Sequence, residues 1–254
     1  IGAPTCFGEK NSQSKSCVTT RSQWLLSLSS DAALYEVMLA KMLRSLPTQS
    51  ERLQFVGERG TFGRTPLHSA AISGNFTSLK TVLFVYPESE RLKAVSQVDE
   101  NGWTVLHCAA SSGNPESISL VLSLYPESER LRAVNVQDDQ GWVVLHWVGR
   151  SGNFESIEII LDLYPESERL QAMNMTSRYG DNMLHRVARS NKVECIKAVL
   201  SLLPESQRLQ AVNRQNSFGS PMLKLMNEET RTTVMEWLST SVSSASKPQQ
   251  SGSP

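Results

Sequence analysis

The four histidines of the chain are the side chains best suited to carry chemistry, and their spacing is regular. Histidine serves proteins as a general base and as a metal ligand. The chain of 254 residues has only four, each 39 residues from the next and each directly after a leucine: His68, His107, His146 and His185. A scarce residue type confined to one position of a period belongs to a repeated structural unit. The spacing therefore favours a structural role over a catalytic base.

A shared metal site and a cysteine–histidine pair are the two chemical alternatives. One histidine per stacked unit would place neighbouring rings roughly 10 Å apart, the usual distance between packed helices, whereas zinc–nitrogen bonds are about 2 Å long. Cys108 follows His107 directly, but adjacent residues on a helix do not face each other. We therefore expect no catalytic residue, no metal and no cofactor, and we do not expect an enzyme. Cys6 and Cys17 receive no role.

The same period extends to glycine and proline, which mark the ends of helices. The repeated positions are Gly63, Gly102, Gly141, Gly180 and Gly219; Gly74, Gly113 and Gly152, followed by Asn191; and Pro87, Pro126, Pro165 and Pro204. Within residues 102–140, Thr104 is a predicted helix N-cap, Gly113 ends that helix, and Pro115 begins a second one. Each unit of 39 residues is thus predicted to hold a helix pair, a short third helix and a hairpin loop. The third helices are predicted at 87–95, 126–134, 165–173 and 204–212.

The segment from Thr65 to Ala70 reads T-P-L-H-S-A and resembles the ankyrin signature T-P-L-H-x-A. Weaker copies stand at 104–110, 143–149 and 182–188, and the resemblance covers about residues 22–239. It implies a mainly α ankyrin-repeat solenoid in which each histidine ring bonds backbone or threonine groups and ties neighbouring units. The units depart from the family in length, with 39 residues instead of about 33. The extra residues fall in the P-E-S-E-R-L stretch, which resembles ankyrin units of translocated effectors from the Legionella group of intracellular bacteria.

The repeats predict how the chain is organised. Residues 1–21 have no assignment, and residues 22–62 are read as a degenerate first repeat that caps the array. Four repeats follow, at 63–101, 102–140, 141–179 and 180–218. A closing helix pair is expected at 219–239, because a terminal unit must face water on one side. Residues 240–254 are rich in Ser, Pro, Gln and Gly and are predicted to be a disordered tail.

Composition limits the classes of partner and the compartment. Lys plus Arg number 25 and Asp plus Glu number 25, so the net charge is zero. This argues against nucleic acid or an anionic membrane as the main partner, because both attract a basic excess. No apolar run approaches membrane-spanning length. The four cysteines are scattered, without zinc spacing or a disulfide framework, which favours a reducing cytoplasm. We expect a cytoplasmic monomer.

Candidate binding residues come from positions that vary between units. The resemblance implies that a partner binds the concave surface, made by hairpin tips and inner helices. Tryptophan and arginine, the residues most enriched at binding hot spots, collect there in the middle units: Trp103, Trp142, Trp147, Arg150, Arg186 and Arg189. An alternative is that Trp103 and Trp142 fold back over their hairpins and pack locally. On the binding interpretation, replacing Trp147 and Arg186 by alanine removes binding and leaves thermal stability almost unchanged.

The sequence therefore predicts a scaffold that binds another protein and performs no chemistry itself. By resemblance, the chain would be a bacterial effector that type IV secretion delivers into a host cytosol, and its partner would be a host protein. One alternative is a targeting module of a larger enzyme whose catalytic domain lies outside this chain, since the sequence begins at Ile1 and not at Met. Another is that residues 1–21 recruit a second protein such as a ubiquitin-ligase component.

Overall fold

The structure is a computed structural model that describes residues 32–245, with side chains described for residues 33–240. Short helices repeat in the same order along this part of the chain. Three helices make up each complete unit, and we name them the inner, outer and insert helices. The inner helices are α3 (Pro66–Ile72), α6 (Val105–Ser112), α9 (Val144–Ser151) and α12 (Met183–Ala188). The outer helices are α4 (Phe76–Leu83), α7 (Pro115–Ser123), α10 (Phe154–Leu161) and α13 (Val193–Ser201). The insert helices are α5 (Glu88–Val95), α8 (Glu127–Val134), α11 (Glu166–Met173) and α14 (Glu205–Asn213).

The ends of the array differ from its middle. Helices α1 (Ala32–Ser45) and α2 (Gln49–Gly57) precede a 3-10 turn at Thr61–Gly63. A second 3-10 turn (Met222–Leu225) and one long helix, α15 (Glu228–Ala245), follow the last unit. The closing element is thus a 3-10 turn with one helix instead of two helices. Residues 1–31 and 246–254, which include the N-terminal segment and most of the predicted tail, lie outside the described residues.

Helix α15 corrects the predicted start of the disordered tail. It continues to Ala245, so residues 240–245 are helical. Low apolar content suggested disorder there, but a helix that is already nucleated extends at little cost. Hydroxyls also bond back along the helix, since Ser239 donates to the Glu236 carbonyl at 2.7 Å and Thr240 to that of Trp237 at 2.9 Å.

The predicted insert helices are confirmed, each starting one residue after its proline. Pro87 is the N-cap of α5, with an extended ψ of 147°, and not its first helical residue. An arginine within each insert helix reaches back to a carbonyl just past the outer helix, where the backbone lacks a helical partner. Its Nε donates to the carbonyl of Tyr86, Tyr125 or Tyr164 at 3.2, 3.3 and 3.4 Å. This repeated bond holds the insertion against the helix pair.

The core is a thin continuous layer between the inner and outer helices. Leu106 of an inner helix and Ile118 and Val121 of its outer helix are fully buried. Each such side chain contributes roughly 1.5–3 kcal/mol when it leaves water. Ala109 and Ala110 are also fully buried, and their small size lets α6 pack closely against α3 and α9. Stacking therefore builds a core that no single unit could form.

The hairpins between units are shaped by a glycine and a polar side chain, which is Asp99, Asp138, Ser177 or Asn216. Asp99 Oδ1 accepts from the backbone N–H groups of Asn101 and Trp103 at 2.8 and 2.9 Å. Gly102 adopts the left-handed φ of 77° that lets the chain reverse. Neighbouring hairpins are also bonded tip to tip. The amides of Glu100, Asp139, Arg178 and Ser217 donate to the carbonyls of Phe62, Asn101, Gln140 and Tyr179 at 2.9, 3.0, 3.0 and 3.0 Å. These bonds fix each unit against the next.

Replacing Gly180 by alanine should destabilise the protein. Gly180 has a φ of 72°, and an added Cβ would lie 2.6 Å from the backbone nitrogen of Ser217. A left-handed residue with a side chain costs about 1–2 kcal/mol, and the clash adds to this cost. Gly57→Ala is the matched control, because nothing lies within 4 Å of a Cβ there. Urea unfolding should show a lower midpoint for the Gly180 variant only, and equal midpoints would contradict the strain argument.

Candidate functional site

The four histidines hold the base of the hairpin that opens the following unit. Nε2 of each ring lies 3.0–3.1 Å from the carbonyl oxygen 29 residues ahead, in Gln97, Val136, Met175 and Arg214. His68 and His146 also reach the carbonyls of Trp103 and Asp181 at 3.2 Å. Carbonyl oxygens only accept, so Nε2 carries the proton and Nδ1 accepts. All four rings therefore make the backbone bonds that the resemblance implies, and His68 and His107 also contact the hydroxyls of Thr65 and Thr104 at 2.8 and 2.9 Å.

Burial keeps these imidazoles neutral. It lowers the pKa of His68 and of His146 to about 4. It lowers the pKa of His107 and of His185 in the same way. Both nitrogens of each ring are engaged with the fold, so the rings are unavailable as bases or ligands. Within residues 32–245, no three His, Cys, Asp or Glu side chains are grouped to hold a metal ion.

Neither described cysteine is a nucleophile. Cys108 is fully buried in α6, and burial raises the pKa of its thiol well above the usual value. Cys195 lies in α13, where burial raises the thiol pKa to about 11. A thiolate is the reactive form, so neither side chain attacks a substrate at neutral pH. Cys6 and Cys17 lie outside the described residues.

Tryptophan and arginine side chains on the side of the hairpins and inner helices form one continuous stack. The Arg64 guanidinium lies 5.4 Å from the Trp103 ring centroid. The Trp103 and Trp147 centroids are 4.1 Å apart, and those of Trp147 and Trp142 are 5.5 Å apart. The Arg186 guanidinium lies 3.4 Å from the Trp142 ring. We call these five residues the aromatic–arginine stack.

The stack corrects the predicted exposure of three site residues. Trp142, Trp147 and Arg186 expose only 4, 8 and 6 % of their surface. Each covers its neighbours, and the Trp147 indole N–H donates to Asp138 Oδ2 at 3.3 Å. Trp142 therefore packs locally, as the alternative interpretation of the sequence predicted. Trp147, for which that alternative was not predicted, is buried in the same way. Of the other predicted residues, Trp103 is half-buried.

Arg150 and Arg189 are exposed and line an open cleft. Arg150 lies near the end of α9, and Arg189 lies one residue past α12, at the same position of adjacent units. Together with Ser151, Ser190 and Leu225 they border a volume of about 540 Å³. We call this the arginine cleft. The structure thus brings two of the six predicted residues together at the surface.

The arginine cleft is positively charged and poorly neutralised. Among the described residues, no carboxylate lies within 4.0 Å of Arg150, and Arg189 has only Asp181 at 3.9 Å. Lys192 adds a further charge nearby, since its Nζ donates to the Ser151 carbonyl at 2.9 Å. Burial and the positive charge of Arg150 lower the pKa of Arg186 to about 9, so that Arg186 stays charged at pH 7. The cleft is suited to bind an anionic group.

Sequence reasoning missed exposed aromatic residues at three of the hairpin tips. Phe62, Tyr179 and Phe218 expose 56, 39 and 72 % of their surface. Tyr179 and Phe218 stack with their centroids 6.0 Å apart. These residues directly precede the turn glycines at the 39-residue spacing, which was the signal that could have found them. Phe62 stands apart from this pair, because the two hairpin tips between them carry Asn101 and Gln140.

Among residues 32–245, no helix is both long enough and apolar enough to cross a membrane. The family model for ankyrin repeats in three copies matches residues 32–130. The search of curated proteins gave no match. The helix pairs, the histidine bonds and the left-handed residues at the turns continue with the same period beyond the match, to residue 218. The fold of the described residues is therefore that of an ankyrin-repeat solenoid, extended by an insert helix in each unit.

Proposed function

We propose that this protein is a scaffold that binds a partner protein across its hairpin tips and inner helices. Ankyrin repeats are generally protein–protein interaction modules. The observation that carries the proposal is the arginine cleft, where Arg150 and Arg189 stand exposed at equivalent positions and lack close carboxylates. Exposed arginines of this kind are typical binding hot spots.

The aromatic–arginine stack supports this surface from below. Trp142, Trp147 and Arg186 are buried, so they do not form the contact surface themselves. They hold the two adjacent units that carry Arg150 and Arg189 against each other. The half-buried Trp103 remains accessible to the partner. A rigid preformed surface loses little conformational entropy when it binds. In this proposal the predicted six residues divide into three that contact the partner and three that position them.

Ankyrin-repeat proteins are typically binding scaffolds without catalysis. We propose the same for residues 32–245, where the histidines are engaged in structural bonds. The finer proposals are that the chain is a monomer, that it acts in a cytoplasm, and that it is an effector delivered to a host cell. The effector proposal rests only on the amino-acid sequence of the insert, P-E-S-E-R-L. No observation favours the larger-enzyme or adaptor-segment alternatives over the scaffold.

Affinity capture with a matched control tests the proposed surface. The protein, an Arg150→Ala–Arg189→Ala variant and a Lys93→Ala–Arg132→Ala variant are used to capture partners from eukaryotic and bacterial lysates. Lys93 and Arg132 are exposed equivalents in two insert helices, so the control removes the same charge elsewhere. Losing hot-spot arginines costs at least about 2 kcal/mol, or roughly thirtyfold in affinity. We expect the cleft variant alone to lose its partner, and equal capture by all three would contradict the proposal.

A further inference from the structure

The arginine cleft carries two exposed cations, Arg150 and Arg189, and a third, Arg186, lies buried beside them. Arg150 has no carboxylate within 4.0 Å among these residues, and the single contact of Arg189 is long at 3.9 Å. Arg186 lies close enough to Arg150 and Arg189 to be repelled by both, and the carboxylates of Asp181 and Asp138 offset part of this repulsion. Like charges at this proximity repel one another. An anionic ligand would relieve that repulsion.

Arg186 cannot move away from the cluster. Its guanidinium lies 3.4 Å from the Trp142 ring and 5.3 Å from the Trp147 ring. Its Nε is buried without a hydrogen-bond partner among the described residues. The side chain is therefore held by packing, and its charge remains behind the two exposed arginines. This arrangement maintains a positive field in the cleft at neutral pH.

The surroundings favour a protein ligand over a nucleic acid. Single-stranded nucleic acids bind where exposed aromatic rings offer stacking platforms, but the side chains that line the arginine cleft include no aromatic ring, and Trp142 and Trp147 beside it are buried. The net charge of zero also opposes a phosphate backbone, which needs many cationic contacts. Arginine matches a carboxylate through two parallel hydrogen bonds. A few carboxylates therefore suit the cleft better than a long polyanion.

The spacing of the units limits the length of the bound segment. Adjacent inner helices pack roughly 10 Å apart, and an extended peptide rises about 3.3 Å per residue. Acidic residues about three positions apart would therefore reach Arg150 and Arg189 together. We propose that the arginine cleft binds an extended segment of the partner that carries two or more Asp or Glu side chains. This inference rests on the proposed function and names the chemistry of its partner.

Selection from random peptides tests this inference directly. A phage-displayed library of 12-residue peptides is panned on the full 254-residue chain. Recovered peptides are labelled with fluorescein and titrated by anisotropy against the protein, Arg150→Glu–Arg189→Glu and the control Lys93→Glu–Arg132→Glu. Circular dichroism checks each variant, and Arg150→Gln–Arg189→Gln replaces the first if charge reversal lowers its melting midpoint. A fluorescein-labelled oligothymidine of 12 nucleotides is the nucleic-acid probe.

We expect the recovered peptides to contain at least two acidic residues within a stretch of about four. Their affinity should fall at least about tenfold for the cleft variant and stay within about twofold for the control. It should also fall when salt is raised, because screening weakens exposed charges. Replacing Asp and Glu in the peptide by Asn and Gln should remove binding.

Three other results would overturn the inference about an acidic ligand, and each can be told apart from a failure of the proposed function. Neutral or basic peptides, or acidic peptides that bind the cleft variant unchanged, would show binding elsewhere on the scaffold. Tighter binding of oligothymidine than of any peptide would assign the cleft to nucleic acid. A library without any retained peptide would also reject a linear acidic ligand. In each case the proposed function is judged separately, by whether lysate capture still depends on Arg150 and Arg189.

Discussion

Lowering the pH from 7 to 5 should destabilise the solenoid by about 4 kcal/mol or more. Each histidine is bonded in its neutral form, and burial lowers the pKa of His68 and His146 to about 4. In the unfolded chain the same rings have a pKa near 6.5. Each pH unit between these values costs about 1.4 kcal/mol per histidine, so the two rings together lose about 4 kcal/mol by pH 5. The lowered pKa values of His107 and His185 act in the same direction.

The direction in which stability changes with pH follows from the number of protons that the folded and unfolded chains bind. Between about pH 4 and 6.5 the unfolded chain binds more protons than the folded one, so stability falls as the pH falls. The contribution is fully present above pH 6.5 and is lost progressively toward the folded pKa. Urea unfolding at pH 7, 6 and 5 measures the loss. The imidazole NMR signals of His68 and His146 should not titrate above about pH 5.5 in the folded protein, because burial lowers their pKa to about 4. Titration of either ring near pH 6.5 would contradict its burial.

Replacing Trp147 by alanine should destabilise the protein by about 3–5 kcal/mol, the usual cost of removing a buried tryptophan. Trp147 contacts the Trp103 and Trp142 rings and donates to Asp138. The change would therefore leave both a cavity and a buried carboxylate oxygen that has lost its donor. Urea unfolding monitored by circular dichroism measures the effect.

The matched control is Trp237→Ala. Trp237 is half-buried in α15 and contacts Arg208 at 5.5 Å, so its removal should cost clearly less. Equal stability of Trp147→Ala and the original protein would mean that the side chain lies free on the surface. That outcome would restore the prediction that Trp147 contacts the partner directly.

The repeated features of the fold could be predicted because they depend on local physics. A left-handed turn residue favours glycine or asparagine, and Asn191 indeed replaces glycine with a φ of 53°. Phe62, with a φ of 60°, is the exception among the described residues. Proline followed by glutamate and leucine at helical spacing predicted the insert helices such as α8. Features of this kind repeat in every unit, so each of the four copies supports the prediction made from the others.

The burial of individual site residues could not be predicted, because it depends on the neighbouring unit. Trp147 occupies the position that Ser69 and Cys108 hold in earlier units. Trp142 of its own unit packs against it, but Trp103 and Arg186 belong to the two flanking units and cover it only after the units stack. Arg150 and Arg189 were easier to place, because a charged residue near a helix end with no apolar neighbour tends to face solvent.

The tip-to-tip hydrogen bonds of the hairpins have a consequence for binding energetics. Each bond joins only successive units, as from Asp139 to Asn101 and from Arg178 to Gln140. In such an array the stability is a sum of nearest-neighbour interface energies, and a weak interface can open while the blocks on either side stay folded. Arg150 and Arg189 belong to different blocks of this kind. A ligand that binds Arg150 and Arg189 together would add a further contact between the two blocks. Binding would therefore suppress local opening at the interface between them.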